Sequence, residues 1–304
     1  MQYGNYYWRL TIHFHLLNKP IIHKGTITNV IMDATDKNML TKWYNQGLDL
    51  LNQDINSEAV ECFRKVLEIN PEDQDAMYNM SVGLERLGQL EEALEILTRL
   101  LAINPQDYSA LFAKGSILFD LERPKEAVEE FNQALIVNTT SLEARYNKAV
   151  ALLNMEYIED ALKNFKKSLK LDPQHLPSLY NKGYCLLLRG FTEEAKECFE
   201  EVLKLSPEDE DALTQYGFIL FEMGRNEEAA EIYDKLLNMN PDNAEILYNR
   251  GCIASAQNDT SLAIKCVKKA VELDNSFAED AKSDKDLDNL RSIEEFKQFL
   301  KEIR

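Results

Sequence analysis

An amide side chain recurs every 34 residues along this chain, as Asn45, Asn79, Asn147, Asn181, Gln215 and Asn249, interrupted only by Ala113. An amide offers a donor and an acceptor together, which matches a peptide group. Such a row at regular spacing suits holding an extended chain by its backbone, with little regard to that chain's side chains. Local hydrogen bonding within the fold is the other reading, and it is equally open for any single residue. One position earlier runs an aromatic row, Tyr44, Tyr78, Phe112, Tyr146, Tyr180 and Tyr248, broken by Thr214. A little further on stand Leu48, Val82, Val150, Leu153, Tyr184, Leu187, Phe218 and Phe221. A contiguous exposed apolar strip marks a binding surface. The alternative is that the rings pack between neighbouring helices and only their hydroxyls reach water. A cationic row, Lys114, Lys148, Lys182 and Arg250, follows the amides. Its stems can pack while its heads pair with neighbouring acids, or the heads can contact an acidic partner. In so acidic a chain the first is preferred.

Catalytic constellations are absent by comparison. Within the repeating region the single histidine is His175, in a turn beside Pro173, and no Ser-His-Asp or Cys-His set assembles around it. No P-loop or GxGxxG is present. His13 and His15 are too few to hold a metal. No enzyme, cofactor or metal is expected.

The elements that must position these rows repeat with the same period. Seven units of 34 residues begin at Leu40, Gln74, Tyr108, Leu142, Leu176, Glu210 and Ala244 and end at Phe277, without insertion or deletion. Each reads as two amphipathic helices joined by a short turn. The eighth place holds Gly47, Ser81, Gly115, Ala149, Gly183, Gly217 and Gly251; the twentieth holds alanine throughout, from Ala59 to Ala263. Small residues in register mark a tight helix crossing, where overpacking costs about 1–3 kcal/mol. Phe63, Phe131, Phe165, Phe199 and Tyr233 fill the space beside it, and Pro71, Pro105, Pro173, Pro207 and Pro241 stop the second helices. Thr139 and Asn275 replace that proline in the other complete turns. A period of this length means a stacked helical array whose units bury their apolar faces against one another.

The chain has 304 residues and a net charge of −18, which argues against a nucleic-acid partner. No run of residues suits a membrane span. Five cysteines without a CxxC pair fit buried, reduced thiols and a cytoplasmic location. Residues 1–32 contain Arg9, Lys19 and Lys24 and no acid, so composition breaks at Met32-Asp33. The strand-like pattern of Trp8, Leu10, Ile12, Phe14 and Leu16 has no sheet to join. The expectation is a start at Met32, with a flexible tail or a short packed hairpin as rivals. Residues 33–39 then form an N-terminal cap. After Phe277, residues 278–304 carry Leu287, Leu290, Ile293, Phe296, Leu300 and Ile303 on one stripe, as terminal capping helices would.

The columns of small residue, alanine, aromatic and proline over residues 40–277 resemble the tetratricopeptide repeat family. That resemblance implies an all-α, right-handed superhelical solenoid of antiparallel helix pairs, seven units with C-terminal capping helices. It places the amide and apolar rows on the concave surface, where several members, including the O-linked N-acetylglucosamine transferases, use an asparagine ladder. It also implies a non-catalytic scaffold binding an extended peptide or protein segment. A regulatory or targeting subunit of an enzyme carried on another chain is the alternative, and a self-associating array a third. The carboxylate clamp of chaperone-binding members needs lysine at the fifth place and asparagine at the ninth; neither is here, so chaperone tails are not the expected partner. The amides are expected to be exposed, so that removing Asn147 or Asn181 costs binding rather than folding.

Overall fold

The computed structural model describes residues 34–303; the leader, with His13 and His15, lies outside them. Among the described residues the chain is helical from end to end. Contacts divide it into two compact units, residues 34–178 and 179–303. In the first, α1 (Ala34–Asn52) pairs with α2 (Asn56–Ile69), α3 (Gln74–Arg86) with α4 (Leu90–Ile103), α5 (Tyr108–Asp120) with α6 (Pro124–Val137) and α7 (Leu142–Asn154) with α8 (Ile158–Leu171). α9 (Leu176–Leu188) begins at the close of this unit. In the second, α10 (Thr192–Leu205) packs on α11 (Glu210–Glu222), α11 on α12 (Asn226–Met239), α12 on α13 (Ala244–Ala256) and α13 on α14 (Thr260–Leu273). The helix bounds follow the 34-residue register, and residues 34–39 are the opening turns of α1.

Each helix has a local reason to start and stop. First helices open on a side chain that accepts the N–H three residues on: Asp73 from Ala76, Asp107 from Ala110, Ser141 from Ala144, Asp209 from Ala212 and Asn243 from Ile246. His175 takes this place before α9, its Nδ1 lying 3.3 Å from the Ser178 N–H and 2.7 Å from the Ser178 hydroxyl. Between first and second helices the chain turns through the left-handed region at one fixed place in every unit. Gly88, Gly190 and Gly224 occupy it in three units, and Asp54, Glu122, Glu156 and Asn258 in the other four, with φ from 57° to 75°.

Packing centres on the small-residue columns. Ala59, Ala93, Ala127, Ala161, Ala195, Ala229 and Ala263 are fully buried, as are Phe63, Phe131, Phe165, Phe199 and Tyr233. A Cβ added at Gly115 would stand 2.7 Å from the Phe131 ring, and one at Gly47 2.8 Å from that of Phe63. The last residues close the apolar end of α13 and α14. After α15 (Phe277–Ser283) a 3₁₀ helix (Lys285–Ser292) and α16 (Glu294–Glu302) bring Leu287, Leu290 and Phe296 into that core. Phe299 is buried with them, while Leu300 and Ile303, expected on the stripe, pack only in part. The five cysteines are free and buried. No described helix is long and apolar enough to cross a membrane.

Ala195→Leu therefore crowds a closed crossing, whereas Glu194→Leu alters an exposed side chain one residue away. Urea melts should show the first losing roughly 1–3 kcal/mol and the second staying within about 0.5 kcal/mol; equal midpoints would contradict this packing.

Candidate functional site

The sixth place of the first helices is mostly interior. Asn79 and Asn147 are fully buried, and Asn181, Gln215 and Asn249 nearly so; Asn45 alone of the six amides is exposed. The expected exposure of the row fails for a simple reason. Within each compact unit the sixth place of one first helix faces the fifth place of its predecessor, as Asn79 faces Tyr44 and Gln215 faces Tyr180. The Asn79 amide donates to the Tyr44 hydroxyl across that gap at 3.0 Å. Asn147 and Asn181 thus sit where removal costs folding as well as any binding.

The aromatic row divides. Tyr44, Tyr78, Tyr146 and Tyr248 are buried, while Phe112 and Tyr180 stay partly exposed. Most lie against the aromatic column of the second helices: Tyr44 meets Phe63 edge-on at 5.9 Å, Phe112 meets Phe131 at 5.8 Å, Tyr146 meets Phe165 at 5.8 Å and Tyr180 meets Phe199 at 5.4 Å. Tyr248 instead stacks on Phe277 of the closing segment, 5.1 Å away. Burial pushes the Tyr78, Tyr180 and Tyr248 phenols up, so these rings serve as neutral packing groups. Further along the helices Val82, Val150, Leu153 and Tyr184 are buried, whereas Leu48, Leu187, Phe218 and Phe221 keep part of their surface in water.

The cationic row is largely engaged. Lys114 pairs with Glu130 at 2.7 Å, both side chains mostly covered, and the Arg250 guanidinium grips Asp234 at 2.7 Å. Lys182 lies against the Cys198 thiol. Lys148 is different. Burial, then the charges of Lys167, Arg145 and Lys163, push its ammonium below the usual lysine range, against the opposing pull of Asp160. Two of the four heads therefore pair with carboxylates.

Three features escaped the sequence. Cys252, Asp284 and Asp286 bring their ligand atoms within 4.8 Å of one another. Asp284 is already employed there: one oxygen accepts from the Tyr248 hydroxyl at 3.0 Å, and the other caps the 3₁₀ helix through the Asp286 N–H at 2.9 Å. Their approach is explained by that capping. Second, burial and the charge of Asp120 push the Glu85 carboxyl up to about 7, against the pull of Arg86. Third, a cavity of about 190 Å³ lies beside Thr214, the one break in the aromatic row. The break was visible in the sequence; the cavity was not.

Family models described as tetratricopeptide repeat match residues 55–115 and 186–248, residues 146–210 and residues 232–265. A model described as anaphase-promoting complex, cyclosome, subunit 3, matches residues 86–168. Comparison with curated proteins finds no match. Among solved structures, a tetratricopeptide repeat protein from Parabacteroides merdae is 20% identical with a TM-score of 0.61, covering 87% of this chain and 98% of its own. PilF of Pseudomonas aeruginosa is 19% identical with a TM-score of 0.60, over 70% of this chain and 96% of its own. YrrB, described as a tetratricopeptide repeat protein with an unusual peptide-binding site, is 22% identical with a TM-score of 0.53, over 60% of this chain and 96% of its own. At these identities the likeness is one of fold.

Two measurements follow from the geometry. Asn79→Ala removes the buried amide's hydrogen bond to the Tyr44 hydroxyl and should cost about 1–3 kcal/mol in urea melts, while Asn45→Ala, exposed at the same place, should stay within about 0.5 kcal/mol. Glu85 holds its proton to about pH 7 in the folded chain and releases it near its ordinary value of 4.5 when unfolded. Its contribution is thus fully present below about pH 4.5 and is lost as pH rises through about 7. Glu85→Gln should melt at higher urea than the parent at pH 8, with the advantage gone by pH 4.5; a pH-independent difference would refute the assignment.

Proposed function

The chain belongs to the tetratricopeptide repeat family, and from that premise we propose that it is a non-catalytic scaffold holding an extended peptide or protein segment along its first helices. Scaffolding of protein partners is the general role of such repeats. The observation that carries the finer reading is the partial exposure of large apolar side chains along the first helices: Leu48, Phe112, Tyr180, Leu187, Phe218 and Phe221 keep part of their surface in water. Within each compact unit these residues sit on regular helices, so little ordering of the helices is needed on binding. The peptide-binding site described for YrrB supports the same reading. Because five of the six amides are buried, apolar contact carries the affinity in this proposal, and the amide row acts mainly by setting the distance between first helices.

A second reading is a regulatory or targeting subunit of an enzyme on another chain. The match of residues 86–168 to a model of a complex subunit favours it.

Affinity capture from the native source, followed by calorimetry with synthetic segments of the captured partners, tests both. In the scaffold reading, Phe218→Ser and Phe221→Ser each weaken binding by about 1–2 kcal/mol and leave the helical circular dichroism intact. Varied captured proteins sharing an extended apolar segment support it. A single stoichiometric enzyme partner whose binding ignores both substitutions would overturn it in favour of the second reading.

A further inference from the structure

We propose that the lysine face of α8 is a second docking surface, fitted to a carboxylate-rich extended segment of a partner protein. It lies on a second helix and stands independently of the peptide-binding reading of the first helices. Lys163, Lys166, Lys167 and Lys170 are all exposed, and their spacing of three and four residues sets them on one side of the helix. Only the fourth unit carries this set. At the place of Lys163, five of the other six units carry glutamate: Glu61, Glu95, Glu129, Glu197 and Glu231. The seventh unit has Lys265 there, but its neighbours are answered, Lys268 by Glu295 at 2.8 Å and Lys269 by Asp242 at 2.7 Å.

On α8 nothing answers. None of its four lysines makes an ion pair with a described residue, although the chain holds 52 acids against 34 bases. Like charges three and four places apart on a helix repel one another, so the face carries a standing electrostatic cost. Lys148 of α7 shares in it: burial first, then the charges of Lys167, Arg145 and Lys163, push its ammonium below the usual lysine range, and Asp160 pulls the other way. A hollow of about 380 Å³ lies over the four lysines, with Leu162 and Glu159 also lining it. Carboxylates brought there would turn repulsion into attraction at several ammoniums at once. In an extended segment alternate side chains share a face about 6.6 Å apart, and the four lysines span about 10.5 Å along α8, so about two or three carboxylates meet them. A nucleic acid or an anionic membrane spreads its charge far beyond this face, and would meet the rest of a chain whose net charge is −18. A short acidic segment touches the lysines alone.

The test uses the full chain and two labelled heptapeptides, one with glutamate and serine alternating, the other with glutamine in place of each glutamate, titrated by fluorescence anisotropy. The glutamate probe should bind saturably, at least about tenfold more tightly than the glutamine probe, and lose affinity as salt rises. Lys166→Glu/Lys167→Glu should weaken it at least about tenfold while circular dichroism stays unchanged. Lys285→Glu/Lys301→Glu, exposed and equal in net charge change, should alter it less than about twofold. Bound glutamates should also raise the Lys148 ammonium toward the ordinary lysine range, read from its side-chain ¹³C shift against pH. Equal affinity for the two probes, equal loss in the two double variants, or an unmoved Lys148 would each overturn the proposal. So would duplex DNA or phosphatidylserine vesicles that bind this face more tightly than the glutamate probe does. Self-association lost in Lys166→Glu/Lys167→Glu would make a second copy the occupant and overturn it as well.

Discussion

The close crossing of the two helices in each unit is the constraint from which the rest of the architecture descends. The small side chain at the eighth place lets the first helix approach a ring on the second: the Cβ missing from Gly217 would fall 2.8 Å from Tyr233, and that missing from Gly183 3.0 Å from Phe199. The two columns vary from unit to unit. Where Ser81 replaces glycine, the facing residue is Leu97 rather than an aromatic; where glycine persists without a ring, Gly251 meets Val267, 2.8 Å from the same virtual atom. The buried alanine column holds the opposite side of the crossing. With that distance fixed, the second-helix rings have one place to go, and the fifth-place aromatics are drawn against them.

Much of this was legible in the sequence, since burial in a repeat is written as the same residue type at the same interval. Alanine every 34 residues and glycine opposite an aromatic could hardly be read otherwise. The helix bounds came with them, marked by proline after the second helices. The left-handed turn was readable where glycine fills it and invisible at Glu122 and Glu156, where nothing in the residue type announces a positive φ. The amide row was misjudged in exposure for a different reason. Periodicity says that a residue faces a neighbour or the solvent, but not how near the neighbour stands. At Asn79 the neighbour is a tyrosine hydroxyl within bonding distance, and the row turns inward. Pairings such as Lys114 with Glu130 are similarly beyond periodicity, because several acids lie within reach of each lysine along the chain.

Charge is distributed with the same local logic. In a chain of net −18, α8 turns Lys163, Lys166, Lys167 and Lys170 outward together, and Lys148 is pressed from behind by two of them. Glu85 is the opposite case: burial, and after it the charge of Asp120, keeps its carboxyl protonated up to about pH 7. Neither cluster is needed for the crossing, which depends on volume alone. Surface charge is therefore free to vary between units while the interior columns are not.

The buried thiols have a kinetic consequence. Cys62 lies in the first repeat of the array, Cys185 and Cys198 in the fifth, Cys252 and Cys266 in the seventh, and each is buried in the closed structure, at most 6% exposed. Burial pushes the Cys185 thiol up to about 12 and raises the Cys252 thiol too, so neither forms much thiolate while its helix pair is shut. An alkylating reagent can then act only during transient opening, and its rate at each sulfur reads the opening frequency of that sulfur's own surroundings. The chain thus carries internal clocks near both ends and in its middle, able to tell fraying at a terminus from breathing in the interior without any added label.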